Sequence, residues 1–308
     1  MVIYIFCNKF IMNIAFVLKG FIEYYFNINC ILYLNPITMF HKKLFIKQEN
    51  WFIIFYGKKD DNILRYEIPL NRTILIQTEQ LNTNTRINNS LVINKNLIYN
   101  CRFILDYEEY NLKKYPIKMK YKIKYIPLPV IKRQPLNISS VKNERKRILF
   151  FGSRSIRREK ILRYLRNKNY DCLNITSVYG NDLINLIKSS CIVLNLHYED
   201  ESLLEIIRLK ECISFEIKIL SELPSLLVKN NKVINNPSLD DMDIDLANRI
   251  DFIPIIKKDL SNIGVLINGI NKILCKKVDI EKIDTYIEKN NKECIKRWRE
   301  LFKIVKII

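Results

Sequence analysis

From Arg147 onward the chain alternates short apolar runs with amphipathic stretches, and this rhythm constrains its fold more than any other feature. Arg147-Ile-Leu-Phe-Phe-Gly152 predicts a buried strand ending in Gly-Ser. Residues 156–168 predict a basic amphipathic helix with Ile161, Leu162 and Leu165 facing inward. Strands are then expected at 172–178, 191–196, 217–221 and 251–256, and helices at 181–188, 202–215, 258–275 and 279–306. Strands alternating with helices of this length imply a parallel sheet covered on both faces.

The first half is less regular. Trp51-Phe-Ile-Ile-Phe-Tyr-Gly57, Thr73–Gln77 and Phe103–Asp106 read as short buried strands, and the Asn/Thr-rich stretch 82–90 as a loop. Ile117 to Ile126 alternates strictly, with Lys118, Lys120, Lys122 and Lys124 against Ile117, Met119, Tyr121, Ile123 and Tyr125, which predicts a half-exposed strand. Such lysines either protect a sheet edge or form a basic rim over an anionic substrate. Pro127, Pro129 and Pro135, with the polar residues that follow, mark a linker.

Four segments follow from this reading. Residues 1–38 form an apolar N-terminal segment in which Asn13–Leu18 is a candidate first strand. Residues 39–140 form a first lobe, 147–278 a second, and 279–308 a C-terminal helix. Ile280, Ile283 and Ile287, then Trp298 and Phe302, give that helix an apolar face that requires a surface, so it is expected to return to the first lobe. Lys9, Lys19 and Glu23 interrupt the N-terminal segment, and its longest uncharged run, 24–41, contains three Asn and a Pro, a poor membrane span and a poor signal peptide.

The formal net charge is +19, and residues 39–146 hold most of it, with 21 basic against 9 acidic side chains. That field suits a phosphate-bearing or membrane-surface partner. The eight cysteines show no CxxC spacing and read as reduced, buried small hydrophobes of a cytoplasmic protein. With only His41 and His197, no zinc-ligand cluster can be assembled.

In a doubly wound sheet, ligands bind beyond the carboxyl ends of the strands. After the first strand of the second lobe come Gly152, Ser153, Arg154, Arg157 and Arg158: a glycine for close approach, a helix start with unpaired N–H groups, and three arginines. The set suits a diphosphate, although a βα turn with a solvated basic first turn would look the same. Tyr179-Gly180 follows the next strand, and His197-Tyr198 the one after. Glu205, Arg208 and Glu211 share one helical face at spacings of three, as either an ion-pair ladder or a site. Asp240-Asp241-Met-Asp243 sits in a polar loop and reads as a solvated turn.

Taken together, Ile-Leu-Phe-Phe-Gly-Ser-x-x-x-Arg-Arg-x-x-Ile-Leu (148–162), Val-Tyr-Gly-Asn-Asp-Leu (178–183), Ile192-Val-Leu-Asn-Leu-His-Tyr198, Leu204-Glu-Ile-Ile-Arg208 and Ile219-Leu-Ser-Glu222 resemble the C-terminal domain of a glycosyltransferase group of bacteria and giant viruses. Weaker likenesses, at 74–80, 105–111 and 125–127, extend the resemblance over about residues 50–256. It implies an α/β fold of two Rossmann-like lobes (GT-B), the N-terminal one short or degenerate. It also implies transfer of a sugar, a hexose by expectation, from a nucleotide-sugar donor to an unidentified glycan, lipid or protein acceptor.

On the same resemblance, Gly152, Ser153, Arg157, Arg158, Tyr179, Gly180, Tyr198, Arg208 and Glu211 would bind the donor. Glu211 would hold its ribose, and His197 and Glu205 would be catalytic. The first glutamate of the Glu-x7-Glu pattern of retaining enzymes falls at Leu203, which leaves the stereochemistry open. Charge growing on the leaving diphosphate can be met by arginines and helix N-termini, so no cofactor and no obligatory metal is expected. Two other readings stand beside this one. Leu203 and the short first lobe fit a catalytically inactive binding or scaffolding protein. The charge alone would fit a nucleic-acid binder, but no reader module supports specific nucleic-acid recognition. Peripheral contact with an anionic membrane is compatible with the basic middle segment.

Overall fold

The computed structural model describes the chain except residues 35–46, 57–67, 79–94, 133–146, 199–202, 230–231, 236, 239–245 and 247–248. It divides into two units, Met1–Pro129 with Asn290–Ile308, and Val130–Lys289. Each is built on its own parallel sheet, giving the two Rossmann-like lobes of the expected GT-B class.

The first lobe holds β1 (Ile3–Phe6), β2 (Cys30–Tyr33), β3 (Trp51–Tyr56), β4 (Thr73–Gln77), β5 (Phe103–Asp106) and β6 (Ile123–Tyr125), in the order β2-β1-β3-β4-β5-β6, with every pairing parallel. Its helices are α1 (Met12–Phe26), α2 (Lys95–Asn100) and the single turn α3 (Glu109–Leu112). Residues 1–33 are therefore part of the lobe rather than a segment set apart. Counted from residue 39 the lobe would have four strands, and this stretch adds two.

Asn13–Leu18, expected as a strand, lies inside α1. Ile14, Ala15, Leu18, Phe21 and Ile22 are buried at helical spacing, while Phe16 is exposed. The near-continuous apolar sequence hides that period. Asn27, in the left-handed region at φ 54°, ends the helix and donates its N–H to Glu23 O.

Residues 117–126 also depart from expectation. Ile117–Lys122 is a 3-10 helix, and only residues 123–125 pair as a strand. Three residues per turn place Met119 and Lys122 together on the inner side, 2% and 3% exposed. Lys122 donates its Nζ to the carbonyls of Tyr99 (2.6 Å) and Cys101 (3.3 Å), at and just past the end of α2. The lysine alternation is thus divided between a buried cap and an exposed rim. Residues 290–308 complete this lobe's core: Trp298 and Phe302 are buried, and Phe26 meets Phe302 edge-on at 5.1 Å.

The second lobe contains β7 (Ile148–Phe151), β8 (Cys172–Ile175), β9 (Ile192–Asn195), β10 (Lys218–Glu222), a two-stranded antiparallel hairpin β11 (Leu226–Lys229) and β12 (Lys232–Asn235), and β13 (Asp251–Ile253). The sheet order is β13-β10-β9-β7-β8, all parallel. Successive strand residues feed opposite cores, as a pleated strand requires. Leu149, Phe151 and Val193 pack with α5 (Gly180–Lys188), α6 (Ile206–Ile213) and the start of α8 (Ile280–Ile304). Ile148, Phe150, Ile192 and Leu194 pack with α4 (Ile156–Asn167) and α7 (Gly264–Cys275). The expected inward residues of α4, Ile161, Leu162 and Leu165, are fully buried.

Candidate functional site

Within the second lobe, β7 lies between β8 and β9, so the direction of strand addition reverses there. Relative to its own first strand the order is 2-1-3-4-5, and the crevice at the carboxyl ends of strands one and three is where such sheets bind ligands. Gly152 follows β7, and Asn195 ends β9.

Gly152 has φ +143°, a conformation L side chains rarely adopt. A Cβ added there would run into Arg208 Nη2. The glycine therefore makes room for a guanidinium. Arg208 comes from the first turn of α6 and is pinned from two sides. Its Nη1 donates to Asn195 Oδ1 (2.8 Å), and its Nη2 pairs with Glu205, the residue preceding the helix. The guanidinium lies 5.4 Å from the Phe150 ring and 5.5 Å from that of Phe151.

Glu205 also receives Arg158 Nη2. Burial pushes its carboxyl up, but Arg208 and Arg158 outweigh that and hold it below the ordinary carboxylate range, so it is ionised at neutral pH. Arg158 is 2% exposed, and its other bonds run to backbone: Leu196 O (3.0 Å from Nε, 2.6 Å from Nη2) and Ser153 O (2.9 Å from Nη1). Burial pushes its pKa down to about 10, which leaves it charged at neutral pH. Ser155 caps α4, accepting from Arg158 N at 3.2 Å.

Arg157 takes a different part from the expected phosphate contact. Nε donates to Ile256 O (3.1 Å), Nη1 to His197 O (3.0 Å) and Glu222 Oε2 (2.9 Å), and Nη2 to Ile256 O (2.7 Å) and Glu222 Oε1. All five of its N–H groups are engaged by protein, leaving none for a diphosphate. Glu222, fully buried, also accepts from His197 N and Ile256 N, each at 2.7 Å. The pair fastens the backbone that follows β9 to the backbone that follows β13.

His197 is fully buried at the carboxyl end of β9. Its Nε2 lies 2.8 Å from Leu223 O, a group that only accepts, so Nε2 carries the hydrogen. Nδ1 is then an acceptor, buried and without a hydrogen-bond partner among the described residues. Burial lowers the pKa of the ring against the pull of Glu222 and Glu205, which keeps it neutral at pH 7. Arg157 is thus paired with Glu222, while the single carboxylate of Glu205 is shared by Arg158 and Arg208.

Of the other expected residues, Ser153 and Tyr198 are exposed, and Tyr198 has the Arg158 guanidinium 5.3 Å from its ring. Tyr179 and Gly180 open α5 beyond β8. Glu211 lies on the last turn of α6, about 9 Å along the axis from Glu205 at the standard rise. Asp240, Asp241, Asp243 and His41 lie outside the described residues. Sequence reasoning missed Glu222, Asn195 and Ser221, whose Oγ accepts from Asn195 Nδ2 at 2.9 Å. The available signal was a polar side chain closing an otherwise apolar strand: Asn195 after Ile-Val-Leu, and Ser221-Glu222 after Ile-Leu.

No protein-family model matches the chain, and no curated protein matches it. Among solved structures it is similar to S. aureus MnaA in complex with UDP, at 12% identity and a TM-score of 0.52, over 100% of this chain and 97% of that one. The likeness is one of fold. Lower similarities run to the glycotransferase of kitacinnamycin (8% identity, TM-score 0.40, 98% of each chain) and to the Gap123 glycosylation-associated complex of Streptococcus agalactiae (9%, 0.40, 84% of this chain and 56% of that one).

Proposed function

We propose that the chain is a glycosyltransferase that draws its sugar from a nucleotide-sugar donor bound at the β7/β9 crevice of the second lobe. The observation that carries this reading is Arg208, held over Gly152 by Glu205 and Asn195 at the reversal point of the sheet. A guanidinium so placed suits a diphosphate, whose negative charge grows as the anomeric bond breaks. Glu205, ionised and shared by two arginines, orients them rather than giving up a proton. His197, fully buried with Nε2 on Leu223 O, stiffens the turn after β9 rather than touching the donor, and Glu211, by resemblance, takes the ribose. Ser153, Tyr179, Gly180 and Tyr198 line the approach.

Arg208→Ala should weaken binding of a nucleoside diphosphate by roughly 1.5–3 kcal/mol in calorimetry. Unchanged affinity rejects the site. Leu203, 2% exposed where the retaining pattern has its first glutamate, favours a second reading in which the lobe binds the donor without turning it over. Hydrolysis across a panel of nucleotide sugars separates the two: binding without turnover selects the second.

A further inference from the structure

The 3-10 helix Ile117–Lys122 enters β6, so in an all-parallel sheet it lies at the amino edge, opposite the edge where such sheets bind ligands. Met119 and Lys122 fasten it inward. What it turns outward is unusual. Ile117 is 84% exposed and Tyr121 74%, two of only four large apolar side chains above 70% among the described residues. Exposed Lys118 and Lys120 alternate with them. Tyr99, whose carbonyl takes Lys122 Nζ, is 42% exposed beside the same turn, and exposed Arg102 leads into β5 at that edge. A lone exposed aliphatic is ordinary surface, but a rigidly anchored pair between cations is not.

We propose that this turn docks the first lobe onto an anionic lipid surface. Ile117 enters the acyl boundary, Tyr121 sits at headgroup level, and Lys118 and Lys120 meet lipid phosphates. No helix among the described residues is long and apolar enough to cross a bilayer, so attachment through this turn is peripheral. Ile117 decides against a nucleic-acid partner: a base can stack on Tyr121, but an aliphatic side chain gains its burial from lipid. The proposal is independent of the donor site, which lies in the other lobe.

The test is co-sedimentation of the full chain with vesicles of phosphatidylcholine alone and with a third of phosphatidylglycerol. Wild type should bind the anionic vesicles and not the neutral ones, and lose binding as salt rises. Ile117→Ser/Tyr121→Ser should weaken binding about tenfold or more. Lys118→Glu/Lys120→Glu should weaken it by at least about 25-fold, from about fivefold per lysine removed. Both variants should keep the wild-type melting temperature, because the side chains are exposed. Equal binding to both vesicle types, no binding to either, or an apolar double variant that binds as wild type overturns the proposal. So does a single-stranded RNA bound more tightly than the anionic vesicles.

Discussion

The guanidinium of Arg157 and the carboxylate of Glu222 close on each other as a two-pronged pair in which every N–H and both oxygens are occupied. Removing one partner leaves a buried charge unanswered, so Glu222→Gln should cost about 3–5 kcal/mol in urea denaturation. The double variant Arg157→Met/Glu222→Leu should cost less than either single change. Additive losses would show that the two residues act separately.

Gly152→Ala should destabilise the second lobe by about 1–3 kcal/mol through its backbone strain and, by displacing Arg208, weaken nucleoside diphosphate binding as well. Gly264→Ala is the matched control. Its added methyl meets nothing within 4 Å, so it should be neutral to stabilising. Two variants of equal affinity and stability would contradict the tight approach at residue 152.

Asp106 is fully buried at the carboxyl end of β5 and accepts from Glu108 N (2.9 Å), Asn111 Nδ2 (3.1 Å) and Tyr115 OH (2.9 Å). Burial pushes its carboxyl up to about 7 against those hydrogen bonds. Between about pH 4 and pH 7 the folded chain keeps a proton that the unfolded chain releases, so this group's contribution falls as pH rises through that window and levels off above it. Denaturation of wild type and Asp106→Asn across the window should differ by this falling component, with the wild type losing stability relative to the variant as pH rises.

Lys122→Met should cost about 1–3 kcal/mol, because it strips the carbonyls of Tyr99 and Cys101 of their donor. Lys118→Met, on the outward side of the same turn, should change stability by less than about 0.5 kcal/mol. Thermal melts of the two variants check the contrast, and equal losses would refute the inward placement of Lys122.

The second lobe was legible because its period changes from strand to helix at each boundary, and the inward residues of α4 fell where the pattern put them. α1 was not legible, since a helix that is apolar almost all round carries a weak period, and β1 and β2 were passed over with it. The lysine alternation at 118–124 misled for another reason. Period two and period three both separate 119 from 118 and 120, and only the burial of Lys122 distinguishes them. Position after a strand did place Gly152 and His197 at the carboxyl ends of β7 and β9. It could not foresee that every N–H of Arg157 is engaged by protein, because that depends on Glu222, 65 residues further along the chain.

Residues 290–308 belong with residues 1–129, and the whole second lobe lies between them in the chain. Synthesis runs from the N-terminus, so the six strands of the first lobe and α1 emerge long before Trp298 and Phe302 exist to complete its core. The lobe made first cannot be finished first. During translation the second lobe is the earlier of the two that can mature, while the nascent first lobe lacks the part of its core that Trp298 and Phe302 supply, and chaperone binding to stalled chains should concentrate there.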